Sequence, residues 1–284
     1  VSLALAASGV KSLVVKGAGS TTITTLTETG ANLKTIDASA ATGALSVTAP
    51  VANSTITGGT GNDTLTGSDG NDVISSGAGS DSVNAGAGND SVVLGDGNDV
   101  MVTTTANLDK NDTLTGGDGT DTLDLSGTYT YVAATSTVEA TNPWANVTGF
   151  ETVRVSNGNT ASVVLATGLA AGNTVATANV VGTGSLTMTG DTTIATVNFT
   201  ASGSDVAGTA SIASAGAQTV NLSTTATNVT STLTTKATSL TVNAGGDTTS
   251  AANTLALTDT ALTSVTATGS TRMTITAGST TTAV

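Results

Sequence analysis

The chain has 284 residues and a formal net charge of −13, and it contains no Cys and no His. Without these residue types it has no imidazole base, no Ser-His-Asp or Cys-His pair, no disulfide and no zinc site of the usual nitrogen and sulfur kind. Its seven Lys and Arg residues are too few for surfaces that bind nucleic acid or anionic membranes, so we expect cations as partners. No apolar run approaches the ~20 residues that span a bilayer.

Thr, Ala, Val, Gly and Ser dominate the composition, and aromatic residues make up only 2 % of it. The β-branched residues Thr and Val favour strands, so we predict an all-β chain with a thin, regular core rather than a disordered one. The segment Val1–Gly9 lacks the basic region of a secretory signal. Because no initiator Met is present, we expect the sequence to be a piece of a longer protein.

Residues 1–57 are predicted to form coils of a parallel β-solenoid with two strands per coil. A short segment with alternating apolar residues, entered through Ser or Thr, begins at Lys11 (KSLVV) and recurs at Lys34 (KTIDA), so that Ser12 and Thr35 are 23 residues apart. A second such strand follows each of them, TTIT from Thr21 and LSVT from Leu45. Apolar residues at a spacing of two indicate strands, and their regular return indicates stacked coils.

Residues 58–124 form a tandem array of nine-residue units, each with a Gly-rich hexamer, an Asp in sixth place and an apolar residue in eighth place. Residues 103–106 interrupt the period once. The array holds twelve Asp and one Lys, a local net charge of −11, whereas the rest of the chain has eight acids and six bases. The sixth-place residues are Asp63, Asp72, Asp81, Asp90, Asp99, Asp112 and Asp121, and the eighth-place residues are Leu65, Ile74, Val83, Val92, Met101, Leu114 and Leu123.

Two units are predicted to make one full turn, because each supplies a short strand and a glycine turn that reverses the chain. Asp63, Asp81 and Asp99 then stack on one edge, and Asp72 and Asp90 on the other. Carboxylates on neighbouring turns lie ~4.8 Å apart, and like charges ~4 Å apart repel by about 1 kcal/mol in water and about 4 kcal/mol near a protein surface. A cation between turns reverses this repulsion. Carboxylates and main-chain carbonyls offer only oxygen, which suits Ca²⁺ better than zinc, copper or Mg²⁺.

The units GGTGNDTLT (58–66) and GGDGTDTLD (116–124) resemble the RTX nonapeptide in full, and the other units resemble it with Ser, Ala or Leu in place of an outer glycine. The resemblance implies a parallel β-roll that binds several Ca²⁺ ions through the sixth-place Asp residues and the main chain of the hexamers. It also implies export by type I secretion and folding outside the cell. The implied main-chain ligands are Gly58, Thr60, Gly67, Ser76, Ala78, Ala85, Ala87 and Gly116. Third-place Asp69, Asp96 and Asp118 add either carboxylate or only carbonyl oxygens.

Two features of the array depart from the RTX pattern. Lys110 stands where the second turn glycine of its unit belongs, and the four residues 103–106 are expected to break the stack. Residues 125–149 are predicted to be an irregular insertion. Tyr129, Tyr131 and Trp144 lie in it and Phe150 follows at once, and this group forms either a plug over the end of the core or a contact surface for another subunit.

Residues 150–284 repeat the looser strand motif and are predicted to be a second β-solenoid. Thr196 and Thr219 are 23 residues apart, Thr219 and Ser239 are 20 apart, and Ser239 and Ser264 are 25 apart. The motif copies are ETVRV at 151, ATVNF at 195, QTVNL at 218, TSLTV at 238 and TSVTA at 263, with second strands LTMT at 186, TLALT at 254 and MTIT at 273.

Catalysis has little support in the sequence, which holds no nucleophile elbow and no phosphate-binding loop. Outside the array, a catalytic cluster could draw only on Arg154, Arg272 and scattered acids such as Asp191, Asp205, Asp247 and Asp259. We expect these acids to be solvated turn residues instead. We therefore expect a protein that is not an enzyme.

The whole composition loosely resembles that of RTX-bearing surface-layer (S-layer) proteins of the Caulobacter type. The resemblance implies a structural cell-surface protein that assembles with copies of itself into a two-dimensional lattice, with Ca²⁺ needed for folding and for lattice contacts. It also allows contacts with other cell-envelope components through regions outside this chain. An RTX adhesin module that binds a foreign surface or glycan is the alternative. Thr-x-Thr pairs such as Thr22/Thr24, Thr187/Thr189 and Thr274/Thr276 suggest an ice-binding face, which the uneven coil lengths disfavour.

Overall fold

A computed structural model describes residues 2–6, 9–27, 32–104, 107–126, 128–130, 146–155, 160–164, 173–182, 184–189, 194–201, 208–224, 230–246, 252–259, 261–269 and 272–277. These residues form strands and turns and include no helix, so none of them lies in a helix that could span a bilayer. Every strand pairing described between them is parallel, which confirms the predicted parallel β-solenoid.

The chain divides into two compact units, one made of Val1–Asp124 with Thr137–Phe150 and the other of Leu125–Ser136 with Glu151–Val284. The finer division into 1–57, 58–124, 125–149 and 150–284 stays a prediction. Residues 127 and 131–145, and with them Tyr131 and Trp144, lie outside the described residues. Phe150 is fully buried in the first unit.

The first unit stacks its strands in two rows, and each coil contributes one strand to each row. One row contains β1 (Ser2–Ala6), β3 (Thr21–Thr27), β5 (Leu45–Thr48), β7 (Thr64–Thr66), β9 (Ser82–Asn84), β11 (Val100–Thr103) and β13 (Thr122–Leu125). The other row contains β2 (Ser12–Gly17), β4 (Thr35–Ala41), β6 (Thr55–Thr57), β8 (Val73–Ala78), β10 (Ser91–Gly97), β12 (Thr113–Gly119) and β15 (Val147–Thr148).

The eighth-place residues of the array form the core of this roll. Ile74 lies opposite Val92, and Val92 lies opposite Leu114, so equivalent residues of successive coils stack directly. All seven eighth-place side chains are at most 2 % exposed. The flanking seventh- and ninth-place side chains are mostly exposed or half-buried, as the alternation of a strand requires. The core therefore consists of two files of stacked apolar side chains, one in each row.

One coil of the same geometry precedes the predicted start of the array. Val47 pairs in register with Leu65, and Ile56 pairs with Ile74, so residues 40–57 occupy the positions of two further nonapeptides. Leu45 and Ser54 then fall in the sixth place. The sequence analysis assigned these residues to the looser solenoid, because neither residue is an Asp. The roll therefore begins with a coil that carries no sixth-place carboxylate.

The expectation that residues 103–106 break the stack is wrong. Strand β10 pairs with β12 in unbroken register across the interruption, with Ser91 opposite Thr113. The extra residues are taken up before the next unit, where the main-chain N–H groups of Asn107 and Leu108 both donate to the Thr104 carbonyl at 3.0 Å. The coil thus grows longer at a corner, where no strand pairing depends on its length.

The second unit also has two rows of parallel strands. The first row contains β16 (Thr152–Val155), β18 (Thr177–Val181), β20 (Thr196–Ala201), the later parts of β21 (Thr209–Thr224) and β22 (Thr230–Gly246), and β24 (Ser264–Gly269). The second row contains β14 (Thr128–Thr130), β17 (Thr160–Val164), β19 (Ser185–Thr189), the early parts of β21 and β22, β23 (Ala252–Asp259) and β25 (Arg272–Ala277).

Two details of the second unit differ from the sequence analysis. Thr219 lies opposite Thr241 rather than Ser239, because this register places Val220 against Val242 in the core. The motif search also passed over strands β17 and β18, which add a coil between the copies at 151 and 195. Each coil nevertheless has two strands, as predicted.

Asp259 is not a solvated turn residue as expected, because it is only 1 % exposed at the end of β23. Its Oδ1 accepts the main-chain N–H groups of Ala261 and Leu262 at 2.6 and 3.1 Å, so it does form a turn, but a buried one. Asp191, Asp205, Asp247 and the side chain of Arg272 lie outside the described part of the structure, and the Arg154 side chain is half-buried.

Candidate calcium site

Four sixth-place carboxylates form a ladder of hydrogen bonds along one edge of the roll. The main-chain N–H of Asp63 donates to Asp81 Oδ1 at 2.7 Å, and that of Asp81 donates to Asp99 Oδ1 at 2.7 Å. The N–H of Asp99 donates to Asp121 Oδ1 at 2.9 Å, across a spacing of 22 instead of 18 residues. The carboxylates of Asp81, Asp99 and Asp121 are thus each held by the peptide group of the equivalent Asp one coil earlier.

The second ladder runs along the other edge and is built in the same way. The N–H of Asp72 donates to Asp90 Oδ1 at 2.8 Å, and that of Asp90 donates to Asp112 Oδ1 at 2.7 Å. Both ladders begin on the coil without carboxylates, where the N–H groups of Leu45 and Ser54 donate to Asp63 and Asp72 at 2.7 and 2.6 Å. The structure therefore brings the seven sixth-place Asp residues into two stacks, and the stack with Asp112 is intact despite Lys110.

The second carboxylate oxygen, Oδ2, has a different environment in two groups of three residues. At Asp63, Asp72 and Asp112 this oxygen accepts a main-chain N–H of its own turn at 2.9, 2.7 and 2.7 Å, respectively. In the middle of the array, Oδ2 of Asp81, Asp90 and Asp99 is buried and accepts no hydrogen bond. The Ser76 hydroxyl lies near Asp81, but it donates its proton to the Leu94 carbonyl at 2.5 Å.

Burial without a hydrogen-bond donor disfavours the charged form of a carboxyl group. It raises the pKa of Asp81 and Asp90 from the ordinary 3.8 to about 6, against the hydrogen bonds from Asp63 and Asp72 that favour the charged forms. Burial also raises the pKa of Asp99 and Asp112. All seven sixth-place residues are at most 2 % exposed. At neutral pH the ladders therefore concentrate buried negative charge that needs a positive partner.

A first-place glycine leaves space for a carbonyl oxygen and a carboxylate oxygen, because a side chain there would collide with both. A Cβ on Gly58 would lie 2.2 Å from the Ser76 carbonyl oxygen and 2.4 Å from Asp63 Oδ2. At Gly67 the corresponding distances are 1.9 Å to the Ala85 carbonyl oxygen and 2.8 Å to Asp72 Oδ2. At these two turns, a first-place carbonyl from the next coil therefore lies beside a sixth-place carboxylate oxygen.

Three further predicted main-chain ligands, Thr60, Ala78 and Ala87, form main-chain hydrogen bonds to neighbouring coils. The N–H groups of Thr60 and Ala78 donate to the carbonyls of Ala41 and Gly59 at 3.1 and 2.9 Å. The Ala87 carbonyl accepts the N–H of Gly70 at 2.5 Å, so one of its lone pairs is already used.

Third-place Asp69, Asp96 and Asp118 have exposed side chains and are not part of the buried ladders. Asp96 lies opposite Asp118 in register, and its main-chain carbonyl accepts the N–H of Gly79 at 2.9 Å. These residues contribute their main chain to the stacking of turns, while their carboxylates face solvent.

Fifth-place Asn residues support the turns, and the sequence analysis did not single them out. Oδ1 of Asn53 accepts the N–H of Asn71 at 3.0 Å, and Oδ1 of Asn71 accepts that of Asn89 at 3.0 Å. Asn62 accepts the N–H of Ser80 at 2.9 Å in the same way on the other edge. The signal for this role is the recurrence of Asn immediately before the sixth-place Asp.

A calcium ion needs more oxygen ligands than the sixth-place carboxylates alone provide. Among the described residues no three Asp, Glu, His or Cys side chains come together, so carboxylates alone do not complete a coordination shell. Ca²⁺ takes six to eight oxygen ligands and accepts a mixture of carboxylates and carbonyls. The buried Oδ2 atoms of Asp81, Asp90 and Asp99, together with main-chain carbonyls such as those of Ser76 and Ala85 beside Asp63 and Asp72, provide that mixture, with neither nitrogen nor sulfur. The residues present fit Ca²⁺.

The sequence was also compared with known proteins. The family model of the RTX calcium-binding nonapeptide repeat matches residues 52–83, 66–101 and 108–127. No curated protein and no solved structure gives a significant match. RTX repeats form a structural calcium-binding fold and are typical of secreted extracellular proteins. The array therefore consists of RTX calcium-binding nonapeptide repeats, which bind Ca²⁺ in multiple copies.

Proposed function

We propose that this chain is a structural cell-surface protein that folds when it meets extracellular Ca²⁺ and then assembles with copies of itself into an S-layer lattice. The observation that carries the proposal is the pair of buried carboxylate ladders, in which Asp81, Asp90 and Asp99 each have an oxygen without a donor. Such ladders have no use in a protein that works without cations, since apolar or amide side chains would stack at lower cost.

The proposed ligands are the sixth-place carboxylates together with the predicted main-chain carbonyls. The positions of the Ser76 and Ala85 carbonyls beside Asp63 and Asp72 support this set. The exposure of the third-place side chains supports a main-chain role for those residues. When bound, the ions supply the positive charge that the stacked carboxylates lack.

The ladders would also keep the array unfolded without Ca²⁺ and let it fold with Ca²⁺, which suits export by type I secretion. In the calcium-poor cytosol, repulsion between unneutralised Asp residues keeps the array open, and such an open chain can be threaded through a secretion channel. Outside the cell, binding free energy becomes folding free energy, as in other metal-folded modules. Extracellular Ca²⁺ modules typically have Kd ~10⁻⁴–10⁻³ M, which matches this purpose.

The regions that precede and follow the array in the sequence support the proposed lattice. Both flanking regions contain two-strand coils of the same parallel architecture, and their composition resembles that of S-layer proteins. A regular stack of parallel coils suits a protein whose function is its shape.

Electron microscopy of the purified protein tests the proposal. We expect ordered sheets at millimolar Ca²⁺ and none in chelator, and we expect Mg²⁺ at equal ionic strength not to replace Ca²⁺. Protein that folds with Ca²⁺ but stays monomeric would contradict lattice assembly. If that monomer coats cells or binds glycans, the chain is an adhesin module instead.

A further inference from the structure

The roll does not end with the last nonapeptide. Strand β15 pairs with β12, so that Leu114 lies opposite Val147 and Thr115 opposite Thr148. The N–H of Leu114 donates to the Asn146 carbonyl at 3.0 Å. Val147 is 1 % exposed and therefore takes a core position like that of an eighth-place residue.

This register places Gly149 where a further nonapeptide would have its first-place residue. A Cβ on Gly116 would lie 1.9 Å from the Gly149 carbonyl oxygen and 2.5 Å from Asp121 Oδ2. At Gly58 and Gly67 the same two kinds of oxygen, a first-place carbonyl of the next coil and a sixth-place Oδ2, lie at 1.9–2.8 Å from the corresponding point. The geometry at Asp121 thus repeats that of the sites inside the array.

The carbonyl at Asp121 comes from a residue outside the repeat pattern, because the nonapeptide match ends at residue 127. Gly149 has a φ of 73°, a left-handed conformation that glycine adopts without strain. A carbonyl and a carboxylate are both acceptors, so a cation that binds both oxygens stabilises their approach.

We propose that the Gly149 carbonyl and the Asp121 carboxylate share a Ca²⁺ ion, and that this ion fastens the segment Asn146–Phe150 to the end of the roll. The site joins the repeat array to a strand that follows it only after an intervening stretch of chain. The inference rests on the proposed calcium-dependent folding of the array, and it does not depend on lattice assembly.

Hydrogen exchange followed during a Ca²⁺ titration of the whole chain tests this site. The probes are the amides of Val147 and Thr148 in β15 and that of Leu114, which bonds to Asn146. We expect Ca²⁺ to protect these amides in the unchanged protein. In Asp121→Asn we expect at least tenfold more Ca²⁺ for the same protection and one fewer ion bound per chain, because the amide keeps an acceptor for Asp99 but loses the charge.

Two control variants separate the loss of this site from a mere loss of charge and from strain in the main chain. Asp118→Asn removes the same charge from an exposed side chain of the same turn, and we expect it to leave β15 protection unchanged. Gly149→Ala strains the left-handed main chain and should weaken β15 protection. Gly17→Ala strains another glycine of positive φ, at 105° in open space, and should not affect β15.

The proposal is overturned if β15 amides are equally protected in Ca²⁺ and in chelator while the Asp81 and Asp99 amides respond to Ca²⁺. It is also overturned if Asp121→Asn leaves the β15 titration unchanged. If no amide of the array responds to Ca²⁺, the calcium-dependent folding itself fails.

Discussion

The two units stack identical polar side chains on successive coils, but with opposite chemistry. In the RTX array the stacked residues are buried Asp carboxylates. In the second unit they are half-buried Asn side chains, and each amide bonds to the next: Asn198 Nδ2 donates to Asn179 Oδ1 at 2.7 Å, and Asn221 Nδ2 donates to Asn198 Oδ1 at 2.8 Å. Asn243 continues the series to Asn221 at 2.8 Å.

The difference shows what decides whether such a stack needs an ion. An amide carries both donor and acceptor, so a column of amides satisfies itself. A carboxylate carries only acceptors, so its column depends on main-chain N–H groups for one oxygen and leaves Oδ2 of Asp81, Asp90 and Asp99 without a donor. The apolar cores are otherwise alike, since Val197 and Val220 stack in the second unit as Ile74 and Val92 do in the first. We therefore expect calcium dependence to be confined to the array.

A change of pH should have the largest effect on the difference in stability between the array and the second unit. The pKa of Asp81 and Asp90 is about 6 in the folded chain and 3.8 ordinarily, so the folded array binds protons more tightly than the unfolded one. Without Ca²⁺, its stability is greatest below about pH 4 and falls as the pH rises to about 6. The change is on the order of 5 kcal/mol for the two groups together.

Denaturation of the protein in chelator at pH 4.5 and 7.5 measures this dependence. We expect the array to unfold at lower denaturant concentration at pH 7.5, and the second unit to change little. Equal stability of the array at both pH values would contradict the assignment of buried charge to these residues.

Gly77→Ala should have the next largest effect. Gly77 has a φ of 107°, and a Cβ there would lie 2.1 Å from the Gly59 carbonyl oxygen. We expect a loss of about 3 kcal/mol from strain and overpacking. Gly17→Ala is the matched control, because its φ is 105° and no atom lies within 4 Å of the added Cβ. Urea denaturation in Ca²⁺ measures both variants, and equal losses would mean that close approach of the turns is unimportant.

Asp81→Asn converts one rung of the carboxylate ladder into an amide. We expect the Ca²⁺ concentration for half-maximal folding to rise about tenfold, which corresponds to ~1.4 kcal/mol, while the variant becomes more stable in chelator. The exposed Asp69→Asn removes the same charge and should change neither value appreciably. Circular dichroism during Ca²⁺ titration gives the comparison. An unchanged midpoint for Asp81→Asn would remove this carboxylate from the proposed ligands.

Asn221→Asp is the reverse exchange in the second unit and should have the smallest effect. It removes the donor to Asn198 and places two acceptors against each other, so we expect a loss of about 1 kcal/mol. Urea denaturation measures the loss. Restoration of stability by Ca²⁺ would mean that one carboxylate suffices to build a site.

The sequence predicted the parts of the structure that depend on exact repetition. The apolar residue in eighth place predicts the stacked apolar core, and the Asp spacing of 18 residues predicts two stacks, because both follow from two strands per turn. Residues 40–57 were not recognised as two nonapeptides, because Leu45 and Ser54 replace the Asp that makes the period visible.

Other features of the structure could not be predicted from the repeat pattern. The effect of residues 103–106 was mispredicted because register is fixed by strand pairing and not by the number of residues between strands. Asp259 was expected in solvent because its turn resembles an exposed one, and only the packing of neighbouring coils buries it. The approach of Gly149 to Asp121 joins distant parts of the chain, which no local pattern reports.

Amide hydrogen exchange of the whole chain in Ca²⁺ and in chelator tests the central claim most directly. We expect the amides of Asp63, Asp81 and Asp99, which donate along the carboxylate ladder, to lose protection on chelation. The amides of Val197 and Val220 beside the Asn ladder should keep theirs. Carboxylate-ladder amides that remain protected in chelator at pH 7.5 would contradict the account, and so would loss of protection in both ladders together.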